Sequence, residues 1–318
     1  MGKDRDKKKK KNKKEIEIEM KKENDGEDEE GKEKIYPKFE FEVRIFENNC
    51  FHLKTLNPQS FNYQRINYST VTLQNGDVFI CGGYDKTTRK FIKTCEIYEK
   101  ETKSLKKSID LIICRGGHDT VLLSNGKVLI SGGVSKNGII LRDAEVFDPC
   151  TNFMTLIKHF MHIGRYGHRT NILPNACILI TGGMTRKSTL VKETEIFNLL
   201  TLTSHKHIIP PPMTVKRFMH SSINLLDGRI WFSGGEEAFS TTSTELYDVK
   251  LNIFYAGPDL NIPRMSHFTY LFPNGKIFII NGLSSQSKKN SEIFDPNTNI
   301  ITKFTCILNY NLKYPYII

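Results

Sequence analysis

The chain of 318 residues is 38% hydrophobic and 25% charged with a formal net charge of +11, which is enough apolar material for one large domain or two ordinary ones. No apolar run approaches the roughly 20 residues that a membrane-spanning helix needs. The lysines at the start have no apolar segment behind them, so no secretory signal is expected. Seven cysteines without a Cys-x-x-Cys point to reduced thiols in a cytoplasmic protein and away from a disulfide framework or a zinc site.

The chain opens on charge. Residues 1–14 hold nine Lys/Arg and two Asp, and residues 15–34 hold four Lys against ten Asp/Glu. Such a segment repels itself and has little to bury, so residues 1–34 are expected to form a disordered, low-complexity tail ahead of a folded domain at 35–318. The run KKKKKNKK gives a nuclear address as the alternative to a cytoplasmic location. The plainer reading is a lysine tract with no address function.

Beyond the tail the sequence repeats. Glycine pairs stand at Gly82-Gly83, Gly132-Gly133, Gly182-Gly183 and Gly234-Gly235, and a fifth site reads Asn281-Gly282. Arg-x-x-His keeps the same interval at Arg115/His118, Arg165/His168, Arg217/His220 and Arg264/His267, with Arg65/Tyr68 one period earlier. A Glu-apolar-aromatic unit follows each pair, beginning at Glu96, Glu145, Glu195, Glu245 and Glu292. Three features in fixed order, recurring about every fifty residues, mark a repeat architecture.

Each period reads as four short strands. The first follows the histidine slot. Asn75-Gly76, Asn125-Gly126, Asp227-Gly228 and Asn274-Gly275 then suit a two-residue type I′ hairpin turn. Asn175-Ala176 replaces them in the third period, and a looser turn is expected there because alanine resists positive φ. The second strand, such as 127–131, is apolar at nearly every position, as a strand covered on both faces requires. The third carries the glutamate, and the fourth an apolar residue at Leu105, Phe153, Phe254 and Ile300. One such sheet cannot bury both faces alone, whereas sheets stacked radially bury each against the next, with glycines admitting close backbone approach. An all-β propeller is therefore expected. The recurrent Arg and Glu are read as structural, bonding backbone or each other between blades, since an unpaired buried charge is costly.

The form R-x-x-H…L-x-N-G-K-V-L-I-x-G-G…E-V-F-D-P, with its period near fifty, resembles the kelch repeat of single-propeller and galactose-oxidase-like proteins over roughly residues 40–318. Kelch repeats usually place a Trp in the fourth strand, whereas the sole tryptophan here, Trp231, lies in a second strand. Five repeats are complete. Arg44-Ile45-Phe46-Glu47 and Phe51 match the third and fourth strands of another repeat, and residues 313–316 resemble the start of one. The expectation is a six-bladed kelch-type ring whose closing blade lacks its second strand, leaving an edge for a partner to cover or for a longer product to complete.

Catalytic signals are weak. His159-x-x-His162 and the pair His205 and His207 have no carboxylate or cysteine at ligand spacing, so no metal site and no cofactor are expected. The two Tyr, two His and one Cys that the copper oxidases of this resemblance require match no motif here. No P-loop, G-x-S-x-G or G-x-G-x-x-G occurs. By contrast, loops joining second to third strands are basic: Lys86, Arg89, Lys90 and Lys93, then Lys136 and Arg142, then Arg186, Lys187 and Lys192, and finally Lys288 and Lys289. Glu236 and Glu237 make the fourth loop acidic. Connections from fourth to first strands add Lys106, Lys107, Lys158, Lys206 and Lys216 to the same rim. Such a rim attracts acidic or phosphorylated segments. The leading reading is a protein-interaction module with a protein partner of that kind and no appended BTB or F-box domain. The alternative is a galactose-oxidase-like or sugar-isomerising enzyme. Specific nucleic-acid binding is not expected, because no aromatic residues interleave with the basic ones.

Overall fold

In the computed structural model the described residues are 16–20, 40–45, 49–54 and 65–304, apart from 103, 175, 187, 200–202, 205–209, 236–239 and 284–290. The chain divides into two compact units, Met1–Asn57 with Tyr316–Ile318, and Pro58–Pro315.

The first unit contains an antiparallel three-stranded sheet of Ile16–Met20, Glu40–Ile45 and Asn49–Lys54, in that order. The last two strands are those read as third and fourth strands of a repeat. Ile16–Met20 pairs along the free side of Glu40–Ile45, from Ile16 opposite Ile45 to Met20 opposite Phe41. Ile16–Met20, from the stretch read as a tail, thus gives Glu40–Ile45 a neighbour on its free side. The cause is local: IEIEM alternates apolar and acidic residues with the period of a strand, a pattern that a charge tally over 1–34 averages away. The remainder of the tail and residues 313–316 lie outside the described residues.

Among its described residues the second unit holds five four-stranded antiparallel sheets, each with its strands in chain order, and one small three-stranded sheet. Blade one comprises Ser69–Thr72, Val78–Cys81, Thr94–Tyr98 and Leu105–Asp110. Blade two comprises Asp119–Leu122, Val128–Ser131, Ala144–Asp148 and Phe153–Ile157. Blades three, four and five begin at Arg169–Ile172, Ser221–Asn224 and Phe268–Leu271. The first strands of successive blades lie side by side and the fourth strands lie outermost, the arrangement of a β-propeller. Among the described residues no helix is long and apolar enough to cross a membrane.

Blade faces alternate strictly. Phe79, Cys81, Cys95 and Ile97 of blade one pack on Val128, Ile130 and Phe147 of blade two. Leu129 and Ala144 on the opposite face of blade two pack on Ile178, Ile180 and Phe197 of blade three. Trp231 of blade four stacks on Phe294 of blade five, ring centroids 4.7 Å apart. Successive second-strand residues therefore serve two different cores, which is why the second strands are apolar at consecutive positions. Of the fourth-strand residues, Phe153 is 67% exposed and Ile300 56%, whereas Phe254 is half-buried and packs on Tyr247 and Phe232, with ring centroids 4.7 and 5.7 Å away. The slot needs no tryptophan where a phenylalanine fills it or the side chain faces water.

The glycine pairs mark the joints between blades. A Cβ on Gly82 would stand 2.5 Å from the Arg115 carbonyl oxygen, and one on Gly132 would stand 2.6 Å from that of Arg165. The next glycine donates its N–H to the same oxygen, Gly83 to Arg115 at 2.8 Å and Gly133 to Arg165 at 2.9 Å. Asn281 keeps φ at 60° in the fifth repeat, which asparagine tolerates.

The repeat arginines and glutamates are buried and paired with each other. Arg65–Glu96, Arg115–Glu145, Arg165–Glu195, Arg217–Glu245 and Arg264–Glu292 approach within 2.7, 2.8, 2.5, 2.7 and 3.0 Å. Both partners of each pair belong to one blade, so the bridge between blades expected from the sequence is carried by the arginine's backbone carbonyl and not by its charge. Arg115 shows the full set. Its Nη1 donates to the carbonyls of Gly132 and Asp143, while Glu145 also accepts the N–H groups of Ile112 and Ile113. Where Arg and Glu are 28 residues apart instead of 30, in blades four and five, Nε replaces Nη2 as the donor to the carboxylate.

The hairpin turns differ from the type expected. Gly76 N–H donates to the Leu73 carbonyl at 2.9 Å and Leu73 N–H to Asp77 at 2.8 Å, with φ of 86° at Gly76. Asn75 is not in a positive-φ conformation. This is a three-residue loop, a type I turn closed by a glycine bulge. Its asparagine is held by a bond of its own, Oδ1 accepting the Asp77 N–H at 3.1 Å, repeated at Asn125, Asp227 and Asn274. In the third repeat, whose Asn175 lies outside the described residues, Ala176 adopts φ of 57° and Leu173 N–H reaches the Cys177 carbonyl at 2.8 Å. Ala176 thus carries a left-handed conformation that costs about 1 kcal/mol. Ala176→Gly is expected to raise the unfolding free energy by about 0.5–1 kcal/mol in urea titrations; no gain would place the strain elsewhere.

Candidate functional site

Strand register decides which loops share an end of the unit. Asp119 pairs with Ser131 and Arg169 with Thr181. The first residue of each inner strand therefore lies beside the end of the second strand, where the chain enters the second-to-third loop. The fourth-to-first connections arrive at the same end, which forms the rim.

Lys86, Arg89 and Lys90 are exposed at the tip of the first of these loops, in a small sheet of Arg65–Ile66, Tyr84–Asp85 and Lys90–Phe91. Lys136 is exposed in a single 3-10 turn, Lys136–Gly138, and Arg142 and Arg186 are exposed in the second and third loops. Among the described residues these six cations have no ion-pair partner. The carboxylates of the rim are engaged elsewhere. Asp85 is buried and accepts Thr88 Oγ1 at 2.7 Å and the Thr87 N–H at 2.9 Å; the Thr88 hydroxyl is foremost in holding its carboxyl below the usual range. Asp143 accepts the His159 N–H at 2.6 Å. Lys187, Lys206, His205, His207, Glu236, Glu237, Lys288 and Lys289 lie outside the described residues.

Lys106 leaves the rim. It lies in Leu105–Asp110 and its Nζ meets Asp77 Oδ2 at 2.8 Å, beside the first-to-second turn at the opposite end of the blade. Lys107 belongs to the same strand and not to a connecting loop.

A groove of about 490 Å³ opens between the loops of blades two and three, lined by Ile139, Ile140, His162, Ile163, Thr185 and Arg186 among others. It pairs a cation with an aliphatic floor, and Ile139 projects 58% exposed beside it.

The inner strands add a feature that the sequence reading passed over. Directly after the repeat-histidine slot stand Ser69, Asp119, Arg169, Ser221 and Phe268. This slot changes in almost every blade while its neighbours stay fixed, so it is free of the duties that hold the fold. Arg169 Nη1 donates to Asp119 Oδ1 at 3.0 Å and its Nε to the His220 carbonyl at 2.8 Å. The other Asp119 oxygen accepts the Thr170 N–H at 2.7 Å. Burial pushes the Asp119 carboxyl up, against Arg169 and Thr170, which pull it down. Arg169 is thus held at both Nε and Nη1, and its side chain remains 31% exposed. A guanidinium held this way has Nη2 to offer a carboxylate or phosphate.

The repeat histidines are spent between blades. His168 Nε2 lies 2.9 Å from Ser131 Oγ, His267 Nε2 lies 2.8 Å from Ser233 Oγ, and His220 Nε2 lies 3.3 Å from Thr181 Oγ1. Burial and the neighbouring arginines hold all three rings well below the ordinary histidine range. Among the described residues no three His, Cys, Asp or Glu side chains gather where a metal ion could sit. A guanidinium at the inner end of the rim repels a cation, so the described residues do not fit a copper centre.

The architecture is that of a β-propeller. No family model matches the chain, and no curated protein matches it. Among solved structures it is similar to YjhT, at TM-score 0.65 and 14% identity, over 84% of this chain and 90% of that one. It is also similar to a fungal alcohol oxidase of the AA5 family in complex with copper, at TM-score 0.58 and 17% identity, over 84% of this chain and 58% of that one. Likeness at these identities carries the fold and no activity.

Proposed function

We propose that the protein is a β-propeller interaction module whose basic rim holds an acidic or phosphorylated segment of a protein partner. The observation that carries this reading is the set of six exposed rim cations, Lys86, Arg89, Lys90, Lys136, Arg142 and Arg186, without ion-pair partners among the described residues. Arg169 adds a fixed guanidinium inside that rim. The groove beside Arg186 suits a segment that follows its acidic residue with an aliphatic one. The test is binding to an array of acidic, phosphorylated and neutral peptides. Reversing Lys86, Arg89 and Arg186 to Glu should weaken capture of the anionic peptides at least about tenfold and flatten its salt dependence. Equal capture by the variant and the parent would sink the proposal.

A second reading, an enzyme acting at the inner strands, is favoured by one observation. Asp119 is a buried carboxyl with a raised proton affinity beside a cation, the kind of pair that serves acid–base chemistry. It calls for sugar turnover, seen by NMR of reducing sugars, that Asp119→Asn abolishes. Absence of turnover in the parent protein removes this reading.

A further inference from the structure

Blade one carries a cysteine at a buried spot where three of its siblings carry a hydroxyl and blade five carries Ile280. At the end of the second strand, blades two, three and four place Ser131, Thr181 and Ser233, each with its hydroxyl against a repeat histidine. Blade one places Cys81 there, and Cys95 stands directly opposite on the third strand. The Sγ atoms lie 2.7 Å apart, and both residues are fully buried. The adjoining Gly82 N–H donates to the Thr94 carbonyl, so Cys81 and Cys95 occupy the non-hydrogen-bonded position of the ladder, where facing side chains come closest. Cα separations at such positions lie within the range that a disulfide spans. The remaining cysteines of the second unit with described thiols, Cys114, Cys150 and Cys177, have no cysteine opposite them.

We propose that Cys81 and Cys95 are a redox-modifiable pair that closes to a cross-strand disulfide when a small-molecule disulfide such as oxidised glutathione is supplied. One thiolate attacks the glutathione disulfide, giving a mixed disulfide and one glutathione thiol. The second cysteine displaces the other glutathione, so the pair loses two protons and two electrons, and both glutathiones leave reduced. Burial raises the Cys95 thiol well above its ordinary range, with Cys81 adding to the shift. The reactive thiolate is therefore scarce in the closed blade. Closure proceeds as the blade opens or as the chain folds. The link forms next to Gly82, which packs on Arg115 and His118 of the next blade, so it fixes the strand end that carries the joint between blades one and two.

The test uses the full chain in two arms: incubation of the folded protein with oxidised glutathione, and refolding from urea with the same reagent. Free thiols are trapped with N-ethylmaleimide in denaturant and the unreduced tryptic peptides are weighed. The expected species joins peptide 66–86 to peptide 94–100 with the loss of two hydrogens, forming faster on refolding. The unfolding midpoint should rise by about 5 °C over reduced protein. Cys95→Ser should fold with the parent's circular dichroism and lose both signals. Alkylated Cys81 and Cys95 in both arms, stable mixed disulfides with glutathione, or Cys81 joined to another cysteine would each overturn the proposal.

Discussion

Glu145→Gln is expected to lower the unfolding free energy by about 3–5 kcal/mol, measured as a shift of the urea midpoint at pH 7.5. Glu145 is fully buried and accepts three bonds, from Arg115 Nη2 at 2.8 Å, Ile112 N–H at 2.6 Å and Ile113 N–H at 3.0 Å. Glutamine has one oxygen where the carboxylate has two, so its amide N–H₂ must face a donor. It also leaves the Arg115 charge buried without its counter-ion. Desolvation of an unmatched charge is the larger of the two losses. Arg115→Met should be comparably damaging, because it strips Nη1 from the carbonyls of Gly132 and Asp143 as well. Arg115→Met with Glu145→Leu should cost less than the two single changes added together, because neither variant charge is then stranded. Additive losses would show that the pair acts through packing and not through its charges.

Stability should also fall steeply on mild acidification. His118 is buried, and burial first, then the Arg115 charge, pull its pKa down to about 3. His168, His220 and His267 are held well below the ordinary value by the same causes. An unfolded histidine titrates near 6.5. Between that pH and the folded value the unfolded chain binds more protons, so stability is complete above about pH 6.5 and declines as pH falls toward 3. His118, held near 3, then contributes a loss of about 2 kcal/mol between pH 7 and pH 5, and the other three rings act in the same direction. Urea midpoints from pH 7.5 to 5 should show this decline, and His220→Gln should reduce the slope. A flat profile would mean that these rings take up protons as readily in the folded protein as in the unfolded chain.

The repeat was legible because its parts have jobs that admit few residue types. A glycine under another blade's carbonyl tolerates no side chain, and a fully buried glutamate needs a cation at fixed distance, so both recur on the same interval. The turn type was not legible from Asn-Gly, because an asparagine that bonds the N–H two residues ahead fits a type I turn as well as a mirror-image one. Ile16–Met20 was hidden by composition, since five alternating residues weigh little in a charge tally. The pairing of Arg and Glu inside one blade could not be read from a one-dimensional period, which is identical for partners within a blade and between neighbours. Arg169 and Asp119 carried a usable signal of the opposite kind, namely variation. The slot after the histidine differs in all but two of the five blades while its flanks hold still. Lys106 and Lys107, read as loop residues of the rim, belong to a fourth strand that starts at its apolar marker Leu105 and runs on to Asp110.

Because each repeat arginine finds its glutamate inside its own fifty-residue module, the joints between modules rest on backbone, hydrocarbon and neutral side-chain contacts, with Arg169–Asp119 as the ion pair that crosses a seam among the described residues. A whole module can therefore be duplicated or deleted without stranding a repeat arginine, except at the seam of blades two and three, where Arg169 and Asp119 depend on each other. Away from that seam a change in blade number by gene duplication keeps each repeat pair intact, whereas a cut at any other phase separates an arginine from its counter-ion.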